Sequence, residues 1–238
     1  MTLIVDVLSR AARQVSLPAP SSWVSATADE YVEIRDDFLL DTVDDLLERV
    51  DLPSPIGAQT TITGDGSETY SLPSDFVRLQ RDMLAVYEKT LDRACTPVVN
   101  DGHWTHIKEI GTSGVERYFR VSGYEGNYSI SFYMEPAAAN EIVVSYITHN
   151  WMANSGGTAG KMFTSAEDVL LLPRRVVEAG IIWRWRERKG MPFQDKYMEY
   201  EALVARLSND SRQRRVINFG ARKMVRWQDQ IPAYIPEA

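Results

Sequence analysis

The amino-acid sequence predicts an α+β fold: a helical bundle formed by N- and C-terminal helices, with an inserted antiparallel β domain and an extended C-terminal arm. Apolar residues recur at helical spacing towards both ends of the chain, and strand-like alternation fills the middle. Near the C-terminus this periodicity fades and prolines interrupt it. We therefore divide the chain into N-terminal helices (1–55), the β domain (56–150), C-terminal helices (151–211) and the arm (212–238).

Two helices are predicted before residue 55. The first covers residues 3–16 and is stopped by the prolines of Leu17-Pro18-Ala19-Pro20. The second begins near Thr27, which forms a capping box with Glu30, and it has acidic residues on the face opposite its apolar stripe. That stripe consists of Tyr31, Ile34, Phe38, Leu39, Thr42, Val43, Leu46, Leu47 and Val50.

The middle of the chain is predicted to form an antiparallel sheet. Two strands, Gln59–Ile62 and Glu68–Leu72, flank Gly64-Asp65-Gly66, which is a typical hairpin turn. Further runs rich in β-branched and aromatic residues are bounded by Gly, Asn, Pro or Asp. These runs are Met83–Glu88, Glu116–Val121, Tyr128–Tyr133 and Glu141–Ile147.

Two more helices are predicted after a glycine-rich loop at Asn154–Gly160. The first follows Pro173, which suits the start of a helix, and ends at Gly190. The second covers Gln194–Leu207, with Tyr197, Tyr200, Val204 and Leu207 on one face.

Composition narrows the class of protein. The chain has 238 residues and one cysteine, Cys95, so an internal disulfide cannot form. No apolar run approaches the roughly 18 residues of a membrane helix, and the N-terminus lacks a signal-peptide pattern. We expect a protein that is used in a cytoplasm, or in a particle assembled there, without membrane contact.

No motif for catalysis or cofactor binding stands out. The histidines are His103, His106 and His149; the first two are expected in a surface loop beside Trp104, not in a metal site. Cys95 could act as a nucleophile only with a neighbouring base, and no sequence signature places one beside it. The carboxylate pairs Asp36-Asp37 and Asp44-Asp45 are not expected to act together, because adjacent residues face different directions on a helix. The sequence therefore predicts a protein that is not an enzyme and has no cofactor.

Charge is distributed unevenly along the chain. Residues 29–51 contain ten acidic residues and two arginines, whereas residues 174–226 contain fourteen basic and six acidic residues. This polarity suits head-to-tail packing of identical copies, although two solvated helix faces would give the same pattern. The basic arm carries interleaved apolar residues, which favours contact with a protein over contact with nucleic acid.

An ordered set of short motifs resembles the head-to-tail adaptor, or connector, proteins of tailed bacteriophages. The resemblance covers about residues 1–215. The motifs are Phe38-Leu39-Leu40-Asp41, Tyr70-Ser71-Leu72-Pro73-Ser74-Asp75-Phe76, Tyr118-Phe119-Arg120-Val121-Ser122-Gly123, Ile142-Val143-Val144-Ser145-Tyr146 after Pro136, Leu171-Leu172-Pro173, Gly180-Ile181-Ile182-Trp183-Arg184-Trp185, Lys189-Gly190 and Arg214-Arg215.

The resemblance implies a structural protein of the virion, located at the head–tail junction and assembled in the host cytoplasm. Its copies would form a ring, commonly of twelve, beneath the portal. Implied partners are the portal protein, a tail or head-completion protein, and DNA that passes through the channel without sequence-specific contact.

Two sets of interface residues follow from this resemblance. The portal-docking set lies in the arm and consists of Arg214, Arg215, Val216, Ile217, Phe219, Trp227 and Tyr234. The subunit–subunit set places Asp36, Asp37, Asp44 and Asp45 of one copy against Arg184, Arg186 and Arg188 of the next. Two other functions remain open, namely a nucleic-acid-binding module and a virion-associated cell-wall hydrolase.

Overall fold

The structure, a computed structural model, describes residues 2–111 and 116–213. The predicted combination of helices and antiparallel sheets is confirmed. The helical segments are α1 (Ile4–Gln14), α2 (Asp29–Val32), a π-helical segment (Glu33–Phe38), α3 (Leu39–Arg49), α4 (Asp101–Ile110), α5 (Arg174–Arg188) and α6 (Gln194–Gln213). The last of these continues beyond Leu207, where the sequence predicted its end.

The strands of the described residues form three sheets. One contains β1 (Thr2–Leu3), β13 (Val169–Leu170), β11 (Met152–Ala153) and β12 (Ala159–Gly160), in that order. The second contains β2 (Gly57–Thr63), β10 (Glu141–Thr148), β5 (Val86–Glu88) and β6 (Arg93–Ala94), with β4 (Phe76–Leu79) also paired to β10. The third contains β3 (Thr69–Ser71), β9 (Asn127–Tyr133), β8 (Tyr118–Tyr124) and β7 (Thr96–Pro97).

Helix α5 is the centre of what we call the helical lobe, which comprises α1, α2 to α3, α5, α6 and the sheet of two-residue strands. The middle of α5 is buried on nearly all sides because α1, α3 and α6 pack around it. Gly180 permits the closest approach: a Cβ added there would lie 2.3 Å from the Thr42 Cγ2 atom of α3. The lobe has one continuous apolar core, which contains most of the predicted stripe of α3.

The β lobe, residues 57–146 with α4, has a separate core between its two sheets. Phe132, Ile130 and Phe119 are buried in this core, and Phe76 stacks on Tyr146 with ring centroids 5.7 Å apart. Glu88 is fully buried beside the core. Its carboxylate accepts hydrogen bonds from Arg93, Arg117 and Asn140 at 2.7 to 3.1 Å, so the buried charge is compensated.

The predicted hairpin around Gly64-Asp65-Gly66 is wrong. Strand β2 pairs with β10 and strand β3 pairs with β9, so the turn carries the chain from one sheet to the other. A Cβ at Gly64 would lie 2.4 Å from the Ala137 carbonyl oxygen, and this close approach is a reason for glycine that is independent of hairpin pairing. The β lobe also contains a parallel pair, β7 with β8, which the antiparallel prediction did not include.

Three further local predictions are corrected. The second helix begins at Asp29 with Ala28 at its N-cap and no side-chain cap, so the capping box at Thr27 does not form. His103 and His106 are exposed, as expected, but lie on helix α4 instead of in a loop; Asn100 caps that helix. The glycine-rich loop ends earlier than predicted, because Ala159–Gly160 form β12, and the Asn154 amide donates to the Thr158 carbonyl oxygen at 2.9 Å.

The two lobes are joined at the C-terminal end of α3. Arg78 of β4 donates from Nε to the Leu47 carbonyl oxygen at 2.8 Å and from a terminal nitrogen to the Val50 carbonyl oxygen at 2.9 Å. Arg81 donates to the Glu48 carbonyl oxygen at 2.8 Å. The last carbonyls of a helix have no partner within it, so these arginines cap α3 and connect it to the β lobe.

Candidate assembly surfaces

An acidic face lies on the solvent side of the second helix. It consists of Asp37, Asp41, Asp44 and Glu48, which recur every three or four residues and therefore share one side of the helix. Within the described parts of the chain, none of these four carboxylates accepts a hydrogen bond or forms an ion pair. Partial burial, together with the charges of Asp41, Glu48 and Glu125, raises the pKa of Asp44 above its ordinary value.

The predicted acidic interface residues divide into two groups. Asp37 and Asp44 belong to the acidic face, whereas Asp36 and Asp45 have partners within the same copy. Asp36 accepts two hydrogen bonds from Arg35, both at 2.7 Å. Asp45 accepts the hydroxyl hydrogen bond of Tyr200 and an ion pair from Arg49 at 3.2 Å, so it links α3 to α6.

Two of the three predicted basic interface residues, Arg184 and Arg188, lie beside the acidic face. Arg184 donates to the Thr42 hydroxyl at 3.0 Å and to the Asp41 carbonyl oxygen at 3.2 Å, and it covers the ring of Trp183. Arg186 contacts Asp195 at 3.5 Å. Arg188 is exposed and lines a cleft of about 380 Å³ together with Asp41. The structure thus places Arg184 and Arg188 next to the acidic face, whereas Arg186 lies near Asp195 at the start of α6.

A second charged surface, which we call the basic cleft, lies between α1, α5 and α6. Its cations are Arg10, Arg174, Arg175 and Lys196, around a volume of about 250 Å³. These four cations share two carboxylates. Glu178 contacts Arg10 at 3.2 Å and Arg174 at 3.0 Å, and Glu199 contacts Lys196 at 2.9 Å and Arg175 at 3.6 Å.

The electrostatics of the basic cleft favour an anionic partner. Arg174 and Arg175 occupy the first turn of α5, which has no acidic residue, so they add to the positive end of the helix dipole. The hydrogen bond from Lys196 lowers the pKa of Glu199 below its ordinary value. The sequence did not predict this cleft, because its cations come from three helices and α1 precedes the other two by more than a hundred residues.

The acidic face and the basic cleft lie on opposite sides of α5. Gly180 and Arg184 of α5 contact Thr42 of α3, which carries the acidic face. Glu178 and Ile182 line the cleft. Positions 178 and 180 are separated by about 200° around a helix with 3.6 residues per turn. Helices α1 and α6 pack against the remaining sides of α5.

One motif of the family resemblance, at residues 70–76, has a structural role. Asp75 accepts hydrogen bonds from Thr148 at 2.7 Å, Asn150 at 3.1 Å and Tyr146 at 3.2 Å, and thereby joins the start of β4 to the end of β10. Phe76 is buried in the β-lobe core beside this cluster. Asp75 is therefore a scaffold residue, and its motif stabilises the junction between lobes.

The remaining candidates for chemistry give no site. Burial raises the pKa of the Cys95 thiol to about 11, which makes it a poor nucleophile. Within residues 2–111 and 116–213, no three His, Cys, Asp or Glu side chains converge to hold a metal ion. In the same part of the chain, every helix is too short or too polar to span a bilayer.

The predicted portal-docking residues lie outside the described residues. These are Arg214, Arg215, Val216, Ile217, Phe219, Trp227 and Tyr234. They stay a prediction.

Comparison with known proteins identifies a family. No curated protein matches the chain. A family model described as SU10 adaptor protein matches residues 3–226, which covers both lobes and part of the predicted arm. The chain therefore belongs to the SU10 adaptor protein family and is a structural adaptor protein of a phage.

Proposed function

We propose that copies of this chain form a ring beneath the portal vertex and join the phage head to the tail. In this proposal the helical lobe builds the ring, residues 212–238 form an arm that docks on the portal, and the β lobe is directed outward or towards the tail. The ring has twelve copies, as the family resemblance implies. DNA passes through its channel without sequence-specific contact.

One observation carries this proposal: the chain has two lobes with separate cores, joined by hydrogen bonds and apolar packing. Arg78 and Arg81 cap α3 from the β lobe. Ile56, Ile147 and Trp151, which flank the β lobe in the sequence, are buried in the helical core. A protein that joins two different structures needs two different surfaces in a fixed relation to each other. Two lobes that share side-chain contacts at their junction satisfy this requirement.

The proposal is tested by removing residues 214–238. The described part of α6 ends at Gln213, so this truncation keeps both lobes complete. We expect the truncated chain to keep the circular dichroism and unfolding transition of the full chain and to lose binding to the portal ring of the same virion. Truncated chains that dock as well as full chains would place portal contact elsewhere.

Electron microscopy of the full chain on portal rings provides the second measurement. We expect a closed ring of twelve copies, one layer thick, on the side of the portal that faces the tail. Single copies scattered without contact between neighbours, or a protein that binds only free DNA, would contradict the proposed function.

A further inference from the structure

We propose that the acidic face of one copy docks in the basic cleft of a second copy, and that this head-to-tail contact holds neighbouring subunits together. The inference rests on the proposed function, because it names the partner surfaces of the ring. It differs from the predicted contact with Arg184, Arg186 and Arg188, because Arg184 and Arg188 lie beside the acidic face of the same copy and Arg186 pairs with Asp195.

Ion pairs within one copy do not neutralise either surface. The four carboxylates of the acidic face have no cationic partner among residues 2–111 and 116–213, and they repel one another at helical spacing. The four cations of the basic cleft share only Glu178 and Glu199. Bringing the two surfaces together relieves repulsion on each side and pairs opposite charges.

The position of the two surfaces determines the type of assembly. They lie on opposite sides of α5, so a copy that receives an acidic face in its cleft still presents its own acidic face to a third copy. Such a contact is heterologous and produces a closed ring when the rotation between copies closes. A two-fold dimer would instead require one surface to meet itself.

The cleft also suits the approach of a helix carrying carboxylates. It lies at the N-terminal end of α5, where the helix dipole favours negative charge. Exposed Leu40, at the edge of the acidic face, supplies an apolar side chain for the contact; its exposed fraction is 39%. Contacts of this kind set partner choice and association rate and weaken with salt.

Complementary variants test the contact. The first, Asp41→Asn with Asp44→Asn, disables the acidic face, and the second, Arg174→Gln with Arg175→Gln, disables the cleft. Each variant alone is expected to associate at least about tenfold more weakly than the unmodified chain in sedimentation velocity. An equal mixture is expected to form dimers and nothing larger, since one intact acidic face then meets one intact cleft.

A matched control removes the same number of charges elsewhere. Glu109→Gln with Glu135→Gln changes two exposed carboxylates of the β lobe and is expected to leave association unchanged. The inference is overturned if the variants associate as strongly as the control. It is also overturned if the unmodified chain associates equally at 50 and 500 mM salt. Unfolding transitions of all variants are recorded, and the comparison uses variants that fold.

Assembly on the portal separates the two proposals. If the variant rings form normally on the portal, the surfaces proposed here are wrong and the ring function stands. If the unmodified chain never forms a ring there, the ring function itself fails. If each variant binds the portal as isolated copies and the unmodified chain forms closed rings, the contact is established.

Discussion

Gly180 of α5 lies so close to Thr42 of α3 that any side chain larger than hydrogen would collide with the threonine. The added Cβ would lie 2.3 Å from Thr42 Cγ2 and 2.8 Å from Thr42 Oγ1. Thr42 is fully buried, donates to the Phe38 carbonyl oxygen and accepts from Arg184, so it has little freedom to move away. Helices α5 and α3 therefore pack directly against each other at this glycine.

This contact predicts the effect of Gly180→Ala. Overpacking outweighs the gain in helix propensity, and we expect the free energy of unfolding to fall by about 1–2 kcal/mol in urea titration. Gly160→Ala is the control, because nothing lies within 4 Å of a Cβ at that position. Thr42→Ala in the same chain should restore part of the loss; a stabilised single variant would contradict the packing.

The cap on α3 predicts that Arg78→Ala is strongly destabilising. The variant leaves the Leu47 and Val50 carbonyls without their donors and removes the ion pair with Asp51, so we expect a loss of about 2 kcal/mol. Lys89→Ala, which breaks the exposed ion pair with Glu141, should cost less than about 1 kcal/mol. Equal losses for the two variants in chemical denaturation would show that the cap has no special role.

The buried carboxylate of Glu88 predicts a larger effect. Glu88→Ala leaves the guanidinium of Arg117, which is nearly buried, without its counter-charge, and we expect a loss of about 3–5 kcal/mol in the free energy of unfolding. The matched control is Glu141→Ala, where the carboxylate is partly exposed. A loss below about 1 kcal/mol at Glu88 would mean that the network is solvated.

The raised pKa of Cys95 predicts slow reaction with thiol reagents. With a pKa of about 11 the folded protein at pH 8 holds about one thiolate in a thousand, roughly a hundredfold fewer than an unfolded chain. Iodoacetamide labelling, followed by mass spectrometry, should therefore be slow in buffer and fast in urea, and in buffer it should accelerate as the pH rises towards 11. Rapid labelling of the folded chain at pH 8 would contradict the burial.

Helical periodicity predicted α1 and α3 well because their buried residues recur at 3.6-residue spacing. Helix α5 is buried on nearly all sides, and its prediction depended on Pro173 at its start and Gly190 at its end. Helical periodicity did not predict α4, because only Trp104 and Ile107 of this helix are buried. The turn at Gly64 predicted a hairpin because turn chemistry is local, whereas the partner of each strand depends on β9 and β10 far along the chain. The basic cleft depends in the same way on packing between distant helices.

The hydrogen bonds from Arg78 and Arg81 to the end of α3 also provide a path for mechanical load between the lobes. Because Arg78 and Arg81 donate hydrogen bonds to the terminal carbonyls of α3, a force on α3 is transmitted to β4 and its sheet. A load on the helical lobe would therefore reach the β lobe through side-chain hydrogen bonds as well as through the two backbone connections between the lobes.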